Sequence, residues 1–344
     1  MGRVNRVAAA AAYGGGGIGL AGALAALLLV GQARLARRII PLAEAPPPRC
    51  DGRYGTEYPG EPIRLTLLGD SSAAGFGVDR ARDTPGALLA TGLAERLHRP
   101  VVVRSVAVVG STSAGLVPQL ELALAWRPDL AVILVGANDV THRVRVPVAV
   151  ANLAATVRLL RAAGTGVVVG TCPDLGTIRP IQPPLRWLAR QWSRDMAAAQ
   201  TVAVVEAGGS TVSLGDLLGP EFAASPETMF AADRFHPSAA GYRAAVAAML
   251  PTVIATAGGT AQISPVPVPG DGVRSLAQAA VEAVDDAGTE VSGARVAGQE
   301  RGPAGRWVNL RHRLRTRVER PRDPVDPGDP VGPAGPVGVE EDAA

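Results

Sequence analysis

The stretch Ile63-Arg64-Leu65-Thr66-Leu67-Leu68-Gly69-Asp70-Ser71-Ser72 decides how the rest of this 344-residue chain is read. Its run at 63–68 is short and mainly apolar, four residues of six, which reads as a strand covered on both faces. Gly69-Asp70 then ends the run with turn chemistry. Working outward, comparable runs stand at 101–106, 130–135, 167–170 and 202–205. Helical patterns separate them. Thr84-Pro85 supplies a cap and a first-turn proline for a helix reaching Leu97. Further helices are expected at 115–125, from Pro147 to a stop at Gly164, at 184–200 and at 238–254. Buried strands alternating with helices predict an α/β fold, a three-layer α/β/α sandwich around a central parallel sheet of about five strands.

Composition divides the remainder. Apolar residues make up 47% of the chain and aromatics only 3%, so the core is expected to be aliphatic. The 41 Gly and 29 Pro are concentrated outside the middle. Four segments follow: 1–40, a membrane anchor or signal segment; 41–60, a Pro/Gly-rich linker; 61–257, the folded domain; and 258–344, a mostly disordered Pro/Gly/Arg-rich tail. Residues 7–31 carry no charge and lie between Arg3, Arg6 and Arg34, Arg37, Arg38. As a helix that run is about 37 Å long, enough to cross a bilayer core. An uncleaved anchor is favoured, with secretion the outcome if the segment is removed. The arginines balance on its two sides and leave orientation open. The folded domain is expected outside the cytoplasm.

Several function classes find no support. The net charge is only +3, and no basic patch interleaved with aromatics occurs in the middle region, so nucleic-acid binding is not expected. Cys50 and Cys172 cannot make a disulfide framework, although a single bridge between them stays open. His98, His142 and His312 lack ligand-like spacing, which argues against a dinuclear metal phosphoesterase.

Ligands of open parallel sheets bind beyond the carboxyl ends of the strands. Motifs fall at those positions: Gly69-Asp70-Ser71-Ser72 after the first strand, Val109-Gly110-Ser111-Thr112 after the second, Gly136-Ala137-Asn138-Asp139 after the third, and Asp233-Arg234-Phe235-His236-Pro237 before the last helix. Singly, each has a plain structural reading: a helix cap, a glycine of positive φ, a turn asparagine and a satisfied histidine. His142 reads as a loop histidine, Asp139 as a local acceptor, and Trp126, Trp187 and Trp192 as core or helix-face residues.

Taken in order, these blocks resemble the SGNH hydrolase superfamily, the GDSL-like esterases and lipases, over about residues 63–256. The resemblance implies a flavodoxin-like sheet and a serine esterase that works without cofactor or metal. Ser71 matches the nucleophile, His236 its base and Asp233 the residue that orients the base. The backbone N–H groups of Ser71 and Gly110 and the side chain of Asn138 match the oxyanion hole. Ser72 replaces the family's Leu, and Ser105 stands where Asn is frequent. A serine hydroxyl needs such a base near neutral pH, and an imidazole with an ordinary pKa of about 6.5 suits the task. The substrate is expected to be a small-molecule, lipid or glycan ester, with the membrane met through the N-terminal segment. An acyltransferase of the same fold, or an inactive membrane-tethered binding protein, are the alternatives.

Overall fold

The computed structural model describes residues 23–36, 38–40, 46–258 and a two-residue strand at 290–291. The greater part of the expected anchor and nearly all of the expected C-terminal tail lie outside the described residues. In chain order the elements are α1 (Ala23–Ala36), β1 (Gly52–Tyr54), β2 (Ile63–Gly69), α2 (Ser71–Ala74), α3 (Pro85–Leu97), β3 (Val101–Ser105), α4 (Leu116–Trp126), β4 (Leu130–Leu134), α5 (Ala137–Thr141), α6 (Val146–Ala162), β5 (Gly166–Gly170), α7 (Leu185–Glu206), β6 (Ser210–Val212), α8 (Leu214–Ala224), α9 (Pro226–Met229), α10 (Ala239–Ala257) and β7 (Glu290–Val291).

The strands form one sheet in the order β1-β3-β2-β4-β5-β6-β7. Its inner strands, β3 to β6, are parallel, and β1 and β7 add antiparallel edges. The expected three-layer α/β/α architecture is therefore present. Alternate residues of each strand enter opposite cores. Leu65, Leu67, Val132, Leu134 and Val168 join α3 and α10 on one face. Leu68, Ala131, Ile133, Val167 and Val169 join α4, α6 and α7 on the other. Burying each of the Val, Leu and Ile side chains among them contributes roughly 1.5–3 kcal/mol.

The chain leaves β2 for β3 on one side, then crosses to β4 on the other. That crossing opens the crevice in which such sheets bind ligands. Register sets the strand ends side by side, with Gly69 opposite Leu134, Leu134 opposite Gly170, and Gly170 opposite Val212. The loops carrying the motifs thus leave the sheet at one level. Thr84 caps α3 through its side chain, which accepts from Ala87 N–H with Pro85 in the first turn, as expected.

Several expectations need correcting. Residues 202–205 are the end of α7, and the last parallel strand is β6, after the Gly208-Gly209 turn. An apolar run of that length is compatible with either state, and Val204 packs in the helix-side core. The segment expected as linker contributes β1, and Cys50 beside it is buried in the first core. Cys50 and Cys172 are both buried and free, so no bridge joins them. α10 is long and apolar enough to cross a membrane, with a mean hydropathy of 1.2. Here its Tyr242, Val246, Met249 and Val253 are buried in the domain.

Candidate active site

Gly69 ends β2 with φ of 132°, and a Cβ there would lie 1.8 Å from the Leu134 carbonyl oxygen. Only glycine allows the chain to turn this close to β4. Asp70 N–H then donates to Leu134 O at 3.0 Å. The Asp70 carboxylate accepts from Ser72 N–H at 2.9 Å and caps α2. Ser71 is thereby the first residue of a single helical turn at the end of a central strand. Burial pushes the Asp70 carboxyl up to about 6, against the Ser72 hydrogen bonds and the nearby His236.

The segment before α10 approaches from the other side. Ala231 N–H donates to His236 O at 2.8 Å, Ser238 N–H to Met229 O at 2.8 Å, and Arg234 takes φ of 57° to close the turn. Ser238 caps α10 through its hydroxyl. Asp233 Oδ1 accepts from the backbone N–H groups of Phe235 and His236, each at 2.9 Å. Its Oδ2 lies 2.6 Å from His236 Nδ1, and His236 Nε2 lies 2.9 Å from Ser71 Oγ. Partial burial tends to raise the Asp233 carboxyl, but the hydrogen bonds from His236 and the two backbone amides outweigh it, so it sits below its ordinary value. Phe76 and Phe235 flank the imidazole, with ring centroids 4.4 and 4.9 Å away. Tyr242 donates to Phe76 O at 2.6 Å and fixes that flank.

The loops after β3 and β4 meet beside the turn that carries Ser71. Gly136, with φ of 135°, leads into α5, where Asn138 Nδ2 donates to Ser111 O at 3.0 Å. Asp139 is fully buried and accepts from Ser113 N–H and, at 2.7 Å, from Ser113 Oγ. Its position agrees with the expected structural acceptor. Burial raises its carboxyl in spite of those bonds.

Ser71, Asn138 and His236 line one cavity of about 100 Å³, whose other walls include Leu175, Ile178, Leu218, Phe222 and Phe230. Asp233 stands behind His236, outside the lining. Gly110 has φ of 81° and sits on the exposed loop after β3, also outside the lining. His142 is an exposed loop residue beside Asn138 O, and Trp187 and Trp192 lie on the outer face of α7.

Sequence reasoning missed several contributors. Asp174 lines the cavity, accepts from Gly176 N–H at 2.8 Å and pairs with Arg190 at 3.2 Å. Asp before a Gly two residues on is its only local signal. Phe222 and Phe230 meet edge to face at 4.9 Å and come from segments given no expected structure. Cys172 is buried under the site, where burial and the charges of Asp70, Asp139 and Asp174 push its thiol well up, so it stays protonated.

Among the described residues no group of His, Cys, Asp and Glu is arranged to hold a metal ion. The arrangement can deliver an activated hydroxyl to an electrophile seated in an apolar cavity.

Residues 67–244 match the family model of the GDSL-like lipase/acylhydrolase family. The GDSL-like esterase Rv1075c of Mycobacterium tuberculosis is 46% identical over 227 residues, covering 62% of this chain and 72% of that protein. Among solved structures, TesA is 25% identical with a TM-score of 0.47, covering 56% of this chain and 99% of that one. Axe2, an acetylxylan esterase from Geobacillus stearothermophilus, is 22% identical with a TM-score of 0.41, covering 56% of this chain and 95% of that one. The match of residues 67–244 spans more than half of the sequence, and this chain belongs to the GDSL-like lipase/acylhydrolase family.

Proposed function

We propose that the chain hydrolyses carboxylic esters through an acyl-enzyme intermediate on Ser71. The observation that carries this reading is the hydrogen-bonded line from Ser71 Oγ through His236 to Asp233, with separations of 2.9 and 2.6 Å, opening on an apolar cavity. Ser71 Oγ attacks the ester carbonyl carbon while its proton passes to His236 Nε2. Asp233 holds the Nδ1–H tautomer and stabilises the imidazolium that forms. The oxyanion is received by the N–H groups of Ser71 and Gly110 and by Asn138, which has a second amide hydrogen beyond the one given to Ser111 O. Collapse of the intermediate expels the alcohol, which takes the proton from His236. Water, activated by the same histidine, then releases the acid. A fluorophosphonate should label the full chain on Ser71, located by mass spectrometry of the peptide. Labelling elsewhere, or none, would remove Ser71 from the reaction.

The enzyme would sit on a membrane through its N-terminal segment, with short-acyl esters carried on envelope lipids or glycans as its substrates. α1 supports this. Leu29 and Ala33 pack with the buried Ala36 on the cluster behind the cavity, and Gln32 bonds to Pro183 O and Leu185 N–H. Its opposite stripe, Leu24, Leu27, Leu28 and Leu35, is exposed. No Asp or Glu precedes Glu44, which suits an anionic lipid surface. The full chain should float with anionic vesicles. A chain carrying serine at Leu24, Leu27 and Leu28 should float less, and equal flotation would count against this seat.

A further inference from the structure

Strands of a parallel sheet splay where a crevice opens, and backbone groups there lose their ladder partners. Gln119 fills that gap at the nucleophile turn. It lies on α4, is 1% exposed, and shares a core with Leu116, Leu120 and Ala123. Its Oε1 accepts from Gly69 N–H at 2.7 Å, and its Nε2 donates to Gly69 O at 2.9 Å. The remaining amide hydrogen goes to Ser111 Oγ at 3.2 Å. One side chain therefore ties the residue two before Ser71 to the residue after Gly110.

The chain of contacts continues. Ser111 O is the acceptor of Asn138 Nδ2. Ser111 N–H closes the turn containing Gly110 by donating to Val108 O, and Val108 N–H donates to Gly69 O. The loops bearing Ser71, Gly110 and Asn138 are thus linked through Gln119. An amide buried among aliphatic residues costs free energy unless its polar atoms are paired, so shape filling alone would be met better by Leu. We propose that Gln119 is a positioning residue, which sets the oxyanion donors Gly110 and Asn138 relative to Ser71 without touching substrate. This rests on the donor assignment made under the proposed function.

The test is a double-mutant cycle on the full chain with Gln119→Leu, Asn138→Ala and both, following kcat and KM on a short-chain ester. Gln119→Leu is expected to lower kcat by about tenfold or more with KM within about twofold, in a protein whose near-ultraviolet circular dichroism matches wild type. In the Asn138→Ala background the same change should cost at least about threefold less, because part of its effect runs through Asn138. Equal losses in both backgrounds, or a loss confined to KM, would overturn the proposal and leave the donor assignment standing. A silent Asn138→Ala would overturn both. Gln119→Glu covers the case in which the Leu variant fails to fold. It keeps the shape and the acceptor for Gly69 N–H, but once ionised it cannot donate to Ser111. Its kcat relative to wild type should fall as pH rises, and a ratio flat with pH would count against the proposal.

Discussion

His236 Nδ1 lies 2.6 Å from Asp233 Oδ2, while Asp233 Oδ1 is held by the N–H groups of Phe235 and His236. The carboxylate therefore has one oxygen fixed by backbone and the other given to the imidazole. Asp233→Asn would keep the backbone bonds through its carbonyl and turn an N–H₂ toward Nδ1. The ring would then take the Nε2–H tautomer and could not accept the proton of Ser71. We expect kcat to fall by about 10⁴ with little change in KM. A loss below about tenfold would show that tautomer control at this contact is unimportant.

Asp70 gives a prediction of opposite character. Its folded carboxyl is raised to about 6, from an ordinary 3.8, by burial. The folded state then binds this proton more tightly than the unfolded chain does. Its contribution to stability is greatest at the acid end, and it is lost as pH rises through the window from 3.8 to about 6. Asp70→Asn keeps an oxygen for Ser72 N–H without the buried charge. Its melting temperature should exceed wild type at pH 7 to 8, with the gain shrinking toward pH 4. A pH-independent difference would contradict this account.

The cavity makes a prediction about substrate. A site of about 100 Å³ is smaller than a cavity of about 150 Å³ that holds benzene, so it fits an acyl chain of about four carbons or fewer. Across p-nitrophenyl esters, kcat/KM should peak at short chains and fall steeply by octanoate. Phe230→Leu, which trims a wall residue, should move the optimum to longer chains. An unchanged profile would place the acyl group elsewhere.

Gly69 makes a structural prediction. Its positive φ, and the 1.8 Å that would separate a Cβ at this position from Leu134 O, leave no room for any side chain. Gly69→Ala should yield little folded protein, by expression and circular dichroism. A stable, active Gly69→Ala chain would show that the turn can relax.

The reach of the sequence follows from where the signals are local. β4 and β5 are apolar throughout, and β2 is broken only by Arg64 and Thr66, because helices cover both faces, and that pattern is readable without contacts. The motif positions follow from it, since each lies just after a strand or before the last helix. The edges are not readable. β1 is three residues of Gly-Arg-Tyr that pair only because β3 is beside them. β6 is mistaken for 202–205 because a valine-rich helix end has the same apolar density as a strand. α8 carries Gly215, Gly219 and Pro220, which break the helical signal that its packing restores. Gln119 and Gln200 are silent for a further reason. Gln200 joins Val135 O to Cys172 N–H as Gln119 joins Gly69 to Ser111, and a buried amide that serves distant backbone leaves no mark on its neighbours in sequence.

The most direct test of the central claim is hydrolysis of a p-nitrophenyl acetate or butyrate ester by the full chain beside its Ser71→Ala variant. Wild-type turnover is expected to fall in the variant to the level of the buffer or within about 10³–10⁴-fold of it, with the fold intact. Undiminished turnover by a folded Ser71→Ala chain would contradict the claim.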